Sequence, residues 1–350
     1  MNLRLFPALL LFPWMALAQS GSGTAERAEA EWNAVLALEA GPQTEIRTRD
    51  QARKVSLEHL AKQEAVLRDF LRKYPETPHA VDAQLRLAAL LTTRSDLEGN
   101  PAYFQAALRL LNDALQSAPA DRRADLEFAR IALSMRRITV PTEADRTALL
   151  SQMSGFQKLY PEDRRVAALM TEVATLFDEE PRRKEELLKQ ALMVARTPQL
   201  RARIEDDMRR LTFLGRPVDI RGVTASGTQV DLSAARGKVA LVYFFASWSA
   251  PSLLGLEEVE YLRKTFAREP LEVIGVSLDP SREILEATLK ARGISWPVLF
   301  DGQGWKSPLV RSLAINALPT LWVFDRKGNL RTLNAKTESE ALVRALLKEK

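Results

Sequence analysis

Cysteine is absent from all 350 residues. Without a thiol the chain can form no disulfide, no thiolate metal site, no covalent thiol intermediate and no cysteine-linked lipid anchor from its own side chains. Histidine is nearly as scarce: His59 and His79 are the only two, twenty residues apart, with no acidic or cysteine cluster around either. Metal binding through them is therefore not expected, and both read as surface or hydrogen-bonded structural residues. Neither lies beyond residue 211, so the second part of the chain has no imidazole to serve as a general base. Basic residues never run five in a row, which argues against a nucleic-acid surface. Long apolar runs are missing too. The longest, residues 5–18, falls short of the roughly 20 residues that a membrane helix needs.

Glycine is scarce in one region only. Between Thr24 and Leu211 there are three, Gly41, Gly99 and Gly155, whereas ten fall from Gly215 onward. That shift divides the chain into an all-helical part, residues 24–211, and a mixed part, residues 212–350. With 46% hydrophobic and 27% charged residues, the chain as a whole has the composition of an ordinary globular protein, and its length is enough for two domains.

The apolar run at the start reads as an export signal, residues 1–18. Arg4 supplies a thin basic start, and Ala16-Leu17-Ala18 before Gln19 forms a small-residue cleavage site. The expectation is an exported, periplasmic protein with no stable membrane insertion once the signal is removed. Of the formal charge of +5, Arg4 carries one. Residues 19–211 hold 30 basic and 30 acidic side chains, and residues 212–350 hold 19 and 15, an excess spread over the surface.

The helical part repeats itself. Residues 69–91, DFLRKYPETPHAVDAQLRLAALL, resemble residues 155–177, GFQKLYPEDRRVAALMTEVATLF, around a shared Phe-x-x-x-Tyr-Pro-Glu. Pro75, Pro119, Pro161 and Pro198 are spaced by 44, 42 and 37 residues, each separating two amphipathic helices. Five residues after the first three prolines stand Ala80, Ala124 and Val166; twelve after stand Leu87, Ile131 and Val173. The same inward positions are refilled in each unit, as in stacked helical hairpins that share one core. The pattern resembles a tetratricopeptide-type solenoid with longer units. The fourth unit has Arg203 and Arg210 at those offsets, which suits a capping or docking helix. Trp32, Phe70, Tyr74, Tyr103, Phe104, Phe156 and Tyr160 read as core and inter-repeat packing, with a peptide-binding concave face as the alternative.

The mixed part is organised around residues 238–262, KVALVYFFASWSAPSLLGLEEVEYL. Val239 to Phe245 form a β-branched and aromatic run too short for a membrane, which predicts a central strand buried on both faces. Pro251 suits a first helical turn, so Trp248-Ser249-Ala250-Pro251-Ser252 is a strand-to-helix turn with Ser249 at the helix mouth. Residues 213–217 are expected to be a linker, residues 218–225 and 228–232 a hairpin, and residues 233–237 a short helical turn. Then follow a helix to about Arg268, a strand over 271–278, a helix over 281–292, a short strand over 297–300, a closing hairpin over 320–324 and 330–334, and a helix over 338–348.

On these residues the part over 212–350 resembles the TlpA/ResA-type thioredoxin-like domains of bacterial periplasms. The landmarks are GKVALVYFF, the turn, VIGVSLD, WPVLFDGQGW and ALPTLWVFDRKGNL, in that order. The family usually reads F-W-A-x-W-C-x-P-C at the turn; here it is F-F-A-S-W-S-A-P-S, with Ser249 and Ser252 at the two cysteine positions. Pro319 matches the family's cis-proline, which the resemblance sets across from the turn, with the backbone of Ala317 and Leu318 free to accept an extended peptide as an added strand. Tyr243 stands six residues before the first motif position, where many thioredoxins keep a buried acid.

Serine cannot replace cysteine here, since exchange needs a thiolate and a hydroxyl forms no S–S bond. A serine hydrolase built on Ser249 would need a base, usually histidine, and neither a G-x-S-x-G elbow nor an S-x-x-K motif surrounds it. Ser249 and Ser252 are expected to cap the helix. The expected function is non-enzymatic: a redox-inactive module that binds a protein or peptide partner through Trp248, Ala250, Pro251, Leu318 and Pro319, with no cofactor, no metal and no nucleic acid. The alternative is an accessory or chaperone in thiol-disulfide exchange or cytochrome maturation.

Overall fold

In a computed structural model the described residues are 23–42, 48–138, 141–335 and 339–349. The expected export signal lies outside them. The chain divides into two compact units, Met1–Arg130 and Ile131–Lys350. The change from all-helical to mixed structure comes at about 211, as the glycine shift implies, so compactness and composition mark different places.

In the first unit five helices follow one another: α1 (Gly23–Ala37), α2 (Arg49–Lys73), α3 (Ala80–Glu98), α4 (Pro101–Ser117) and α5 (Arg123–Arg136), the last crossing into the second unit. Their ends follow local chemistry. The Thr48 hydroxyl accepts from the Gln51 N–H and starts α2; Gly99, at φ +67°, ends α3; and the Asn100 side chain accepts from the Ala102 N–H with Pro101 in the first turn of α4. Helices α1 to α4 pack each on the next, and Phe70, Leu87, Leu91 and Leu111 are each at most 1% exposed. Trp32, Phe70 and Phe104 are buried, as expected of packing residues. Both histidines are satisfied: His59 Nε2 donates to the Leu38 carbonyl at 2.8 Å, and His79 stacks on Trp32 with its Nε2 2.8 Å from the Glu29 carboxylate.

The second unit opens with α6 (Glu143–Leu159), α7 (Val166–Ala174), α8 (Pro181–Val194) and α9 (Pro198–Leu211). Thr142 and Asp145 form a reciprocal capping box at the head of α6. Of the six repeated inward positions, Ala80, Leu87, Ile131, Val166 and Val173 are buried and Ala124 is half-buried.

The remaining elements are β1 (Arg221–Val223), β2 (Gln229–Asp231), β3 (Val239–Phe245), α10 (Ala250–Thr265), β4 (Leu271–Ser277), α11 (Arg282–Ala291), β5 (Val298–Leu299), α12 (Pro308–Ser312), β6 (Thr320–Phe324), β7 (Leu330–Thr332) and α13 (Ser339–Lys348). Strands β5, β4, β3, β6 and β7 form one sheet in that order, and β1 and β2 a separate hairpin. Strand β3 is central: it runs parallel to β4, with Val239 opposite Leu271, and antiparallel to β6, with Val242 opposite Trp322. All seven of its residues are buried. Alternate side chains feed opposite layers. Val242 and Phe244 join Trp322, Phe324, Val310 and Leu313, while Leu241, Tyr243 and Phe245 join Leu256, Val259 and Val343. Each Val, Leu or Phe so buried contributes about 1.5–3 kcal/mol, which is why a run this apolar ends up in the middle.

Some expectations need correction. Helix α10 stops at Thr265, short of Arg268, and the strands of the first hairpin are three residues each. The sheet is mixed, as the expected closing hairpin requires: β6 runs antiparallel to both β3 and β7. A 3-10 turn, Gly304–Lys306, and α12 fill what had no assigned structure. Residues 213–217 are docked, not a free linker: the Gly215 N–H donates to the Leu330 carbonyl at 2.8 Å, the Leu330 N–H to the Arg216 carbonyl at 2.9 Å, and Phe213 packs on Trp322. At the other edge the Phe300 N–H donates to the Val223 carbonyl at 2.9 Å. Both edges of the sheet are thus covered by the stretch that precedes β3, which removes open ladders from solvent.

Candidate functional site

The C-terminal ends of the parallel strands β3, β4 and β5 share one edge of the sheet, where ligands of open α/β sheets ordinarily bind. The chain leaves β3 through Ala246 and Ser247, exposes Trp248, and enters α10 at Ser249. Ser249 is extended, at φ −100° and ψ 107°, and its hydroxyl accepts from the Ser252 N–H at 3.4 Å. Pro251 is exposed in the first turn, as its missing N–H permits.

Ser252 does not cap, contrary to expectation. It is fully buried, and its Oγ has no hydrogen-bond partner among the described residues. As the third helical residue it lies inside the first turn, with the Tyr243 ring beneath it. The Tyr243 hydroxyl donates to the Ser252 carbonyl at 2.8 Å. Burial pushes the Tyr243 phenol above its ordinary range, and the Glu258 charge adds to the effect, so it stays a neutral donor. Gly255 makes room for it, because a Cβ there would stand 2.1 Å from the Tyr243 oxygen.

Sequence reasoning missed Asp279. Its carboxylate is fully buried and accepts from the Ser247 N–H at 2.9 Å, the Ser247 hydroxyl at 2.5 Å and the Ser277 hydroxyl at 2.8 Å. It ties the end of β4 to the turn that presents Trp248. The only trace in the sequence is a Ser-Leu-Asp at a strand end, which looks like ordinary loop chemistry.

The peptide bond between Leu318 and Pro319 is cis, as the resemblance implied. The register sets Thr320, the first residue of β6, opposite Phe244, so Leu318 and Pro319 stand just before β6, at the end of it that lies beside the exit of β3. Both are half-buried. The Ala317 carbonyl already accepts the Thr320 hydroxyl at 2.9 Å, which corrects the expectation that it is free. The Ala317 N–H and both backbone groups of Leu318 have no partner among the described residues. Four large apolar side chains stand exposed around this edge: Trp248 (58%), Leu254 (68%), Ile284 (53%) and Trp305 (43%). Of the residues expected to bind, Trp248, Ala250 and Pro251 are exposed at the turn, and Leu318 and Pro319 lead into the neighbouring strand β6. No group of three or more metal-ligating side chains occurs among the described residues. No described helix is long and apolar enough to cross a membrane.

Residues 215–333 match the AhpC/TSA family. The thioredoxin-like protein YneN of Bacillus subtilis is 27% identical over 117 residues, which are 33% of this chain and 66% of that protein. The thiol-disulfide oxidoreductase ResA of the same organism is 20% identical over 118 residues, 34% of this chain and 64% of ResA. This chain thus spans just under two thirds of the length of these curated relatives. Among solved structures, a thiol-disulfide oxidoreductase from Bacteroides fragilis is 26% identical, with a TM-score of 0.35 over 37% of this chain and 98% of that one. The C-terminal domain of a thiol-disulfide oxidoreductase from Bacteroides thetaiotaomicron is 19% identical, with a TM-score of 0.36 over 38% and 95%. The chain is a helical region followed by an α/β thioredoxin-like domain, and it is within that domain that residues 215–333 are similar to the AhpC/TSA family.

Proposed function

We propose that this chain is an exported, redox-inactive binding module, in which a tetratricopeptide-like helical region carries a thioredoxin-like domain that holds an extended stretch of another polypeptide. The observation that carries the reading is the pair Ser249 and Ser252 at the mouth of α10, in a chain without any cysteine. A hydroxyl at that place cannot become the nucleophile of disulfide exchange or store two electrons in a bond to its neighbour. The recognition surface beside it is intact: an exposed indole at Trp248, and the unpaired backbone of Leu318 next to Pro319. Main-chain groups of that kind pair with an added strand irrespective of its sequence.

The names of the relatives favour a second reading, an accessory that holds substrates for thiol-disulfide exchange. Both readings require binding without turnover. The test uses reduced, carboxymethylated lactalbumin, a permanently unfolded chain that offers no thiol. The full-length protein should bind it, Trp248→Ala should weaken binding about tenfold or more, as truncation of an aromatic anchor does, and insulin reduction should stay at the uncatalysed rate. Turnover of insulin, or equal binding by the variant, would sink the proposal.

A further inference from the structure

The fourth repeat unit places arginine where earlier units place apolar side chains, and its two arginines differ in fate. Arg203 stays on the surface of α9, paired with Glu172 at 2.8 Å. Arg210, in the last turn of that helix, turns inward. Its Nη1 donates to the Ala314 carbonyl at 2.9 Å and to Asn316 Oδ1, and its Nη2 donates to Asp207 Oδ1. Asn316 Nδ2 donates to the same Asp207 oxygen at 2.8 Å, and Arg209 donates to the Arg311 carbonyl at 3.1 Å. Asp207 is buried at 6% exposure. Burial works against the Arg210 charge and Asp207 beside it works for it.

The far end of this network is a loop that leads directly to Leu318 and Pro319. Ala314 is the single non-glycine residue with positive φ among the described residues, at +54°, and it is buried. A side chain with a Cβ disfavours that conformation, so it persists only where its surroundings impose it. The end of α12 imposes it locally, since the Ile315 N–H donates to the Val310 carbonyl at 3.0 Å and the Ala314 N–H to the Arg311 carbonyl at 3.1 Å; the guanidinium on the Ala314 carbonyl and the Asn316 amide between Asp207 and Arg210 brace that turn from outside.

We propose that Arg210 is a positioning residue through which the last helix of the repeat region sets the loop over residues 314–319, and with it the affinity of the neighbouring groove for an extended polypeptide. The second half of this statement rests on the binding function proposed above; the first half does not. The geometry makes α9 a determinant of the loop that leads to Leu318 and Pro319.

The experiment is hydrogen exchange on the full-length protein. The Ala314 and Ile315 amides, which donate to Arg311 and Val310 carbonyls, report on the loop, and the β3 amides report on the sheet. Arg210→Met should speed exchange at the loop amides by about tenfold or more, the order expected on losing charge-assisted hydrogen bonds, and leave β3 unchanged. Asn316→Ala, at an exposed position on the loop itself, should do the same and guards against a folding defect in the first variant. Arg210→Lys should lie between, since an ammonium cannot fork, and Arg203→Met should change nothing. Both loosened variants should also bind carboxymethylated lactalbumin more weakly by a similar factor. Unchanged loop exchange in Arg210→Met and Asn316→Ala overturns the proposal, as does a loosened loop with undiminished binding. A loosened loop in a protein whose wild type never bound the probe upholds the clamp and overturns the binding function.

Discussion

Two serines three residues apart have opposite roles, and only their surroundings separate them. Ser249 caps α10, whereas the Ser252 hydroxyl is buried without a partner among the described residues. Ser249→Ala should therefore cost about 0.5–1 kcal/mol, the low end for a cap because the bond is long, while Ser252→Ala should be neutral or stabilising, since it removes an unsatisfied buried group. Urea unfolding of the two variants decides it, and the reverse order would refute this account of the turn. Beneath them, Gly255 and Tyr243 are matched. Gly255→Ala drives a methyl into the phenol oxygen and should cost about 1–3 kcal/mol as overpacking. Adding Tyr243→Phe, which removes that oxygen, should recover part of the loss in the double-variant cycle. The sequence named Tyr243 as a departure from the family's acid but could not say what fills the space. That depends on a glycine twelve residues away along the chain, on the helix above.

At the scale of elements, the turn between β3 and α10 is held from outside by Asp279. Asp279→Asn keeps the volume but leaves one acceptor for several donors, so it should cost about 1–3 kcal/mol and increase quenching of the Trp248 fluorescence by acrylamide. Helix α6 carries a pH dependence. The Thr142 hydroxyl and backbone N–H hold the Asp145 carboxyl below its ordinary value of 3.8. A depressed carboxylate contributes while ionised, so its contribution is complete above about pH 4 and is lost as pH falls through the lower folded value. The first-turn amides of α6 should accordingly lose exchange protection below pH 4, and a flat profile there would contradict the capping box. Strands β3, β4 and β6 and helices α10 and α11 could be read within a residue or three, because period, β-branching and flanking prolines or serines are local signals. The Pro308–Ser312 helix carries the same signal, Ser307 as cap before Pro308, but is only five residues long and goes unassigned from sequence, whereas the docking of residues 213–217 on β7 is decided by Leu330, more than a hundred residues distant.

At the scale of the whole molecule, the two compact units divide within α5, and α6 to α9 belong with the sheet through Arg209 and Arg210. Calorimetry of the full chain should therefore show a total enthalpy above the van't Hoff value, the mark of more than one cooperative unit. Exchange protection of α8 and α9 should be lost together with that of β3, not with that of α2 and α3. A single two-state transition would contradict the division.

The sequence by itself determined the apolar strand that had to become central, the repeated inward positions of the helices, the two serines at the mouth of α10 in a chain without cysteine, and the arginines that mark α9 as different. These are properties of periodicity and of functional groups, which a chain carries before it folds. Only the tertiary structure decided which serine is satisfied, which buried carboxylate braces the turn, and where Arg210 reaches. Each of those depends on a polar group finding its partner once water has been excluded, and the energetic stake of a hydrogen bond made or missed is set by the packing around it, not by its neighbours in sequence.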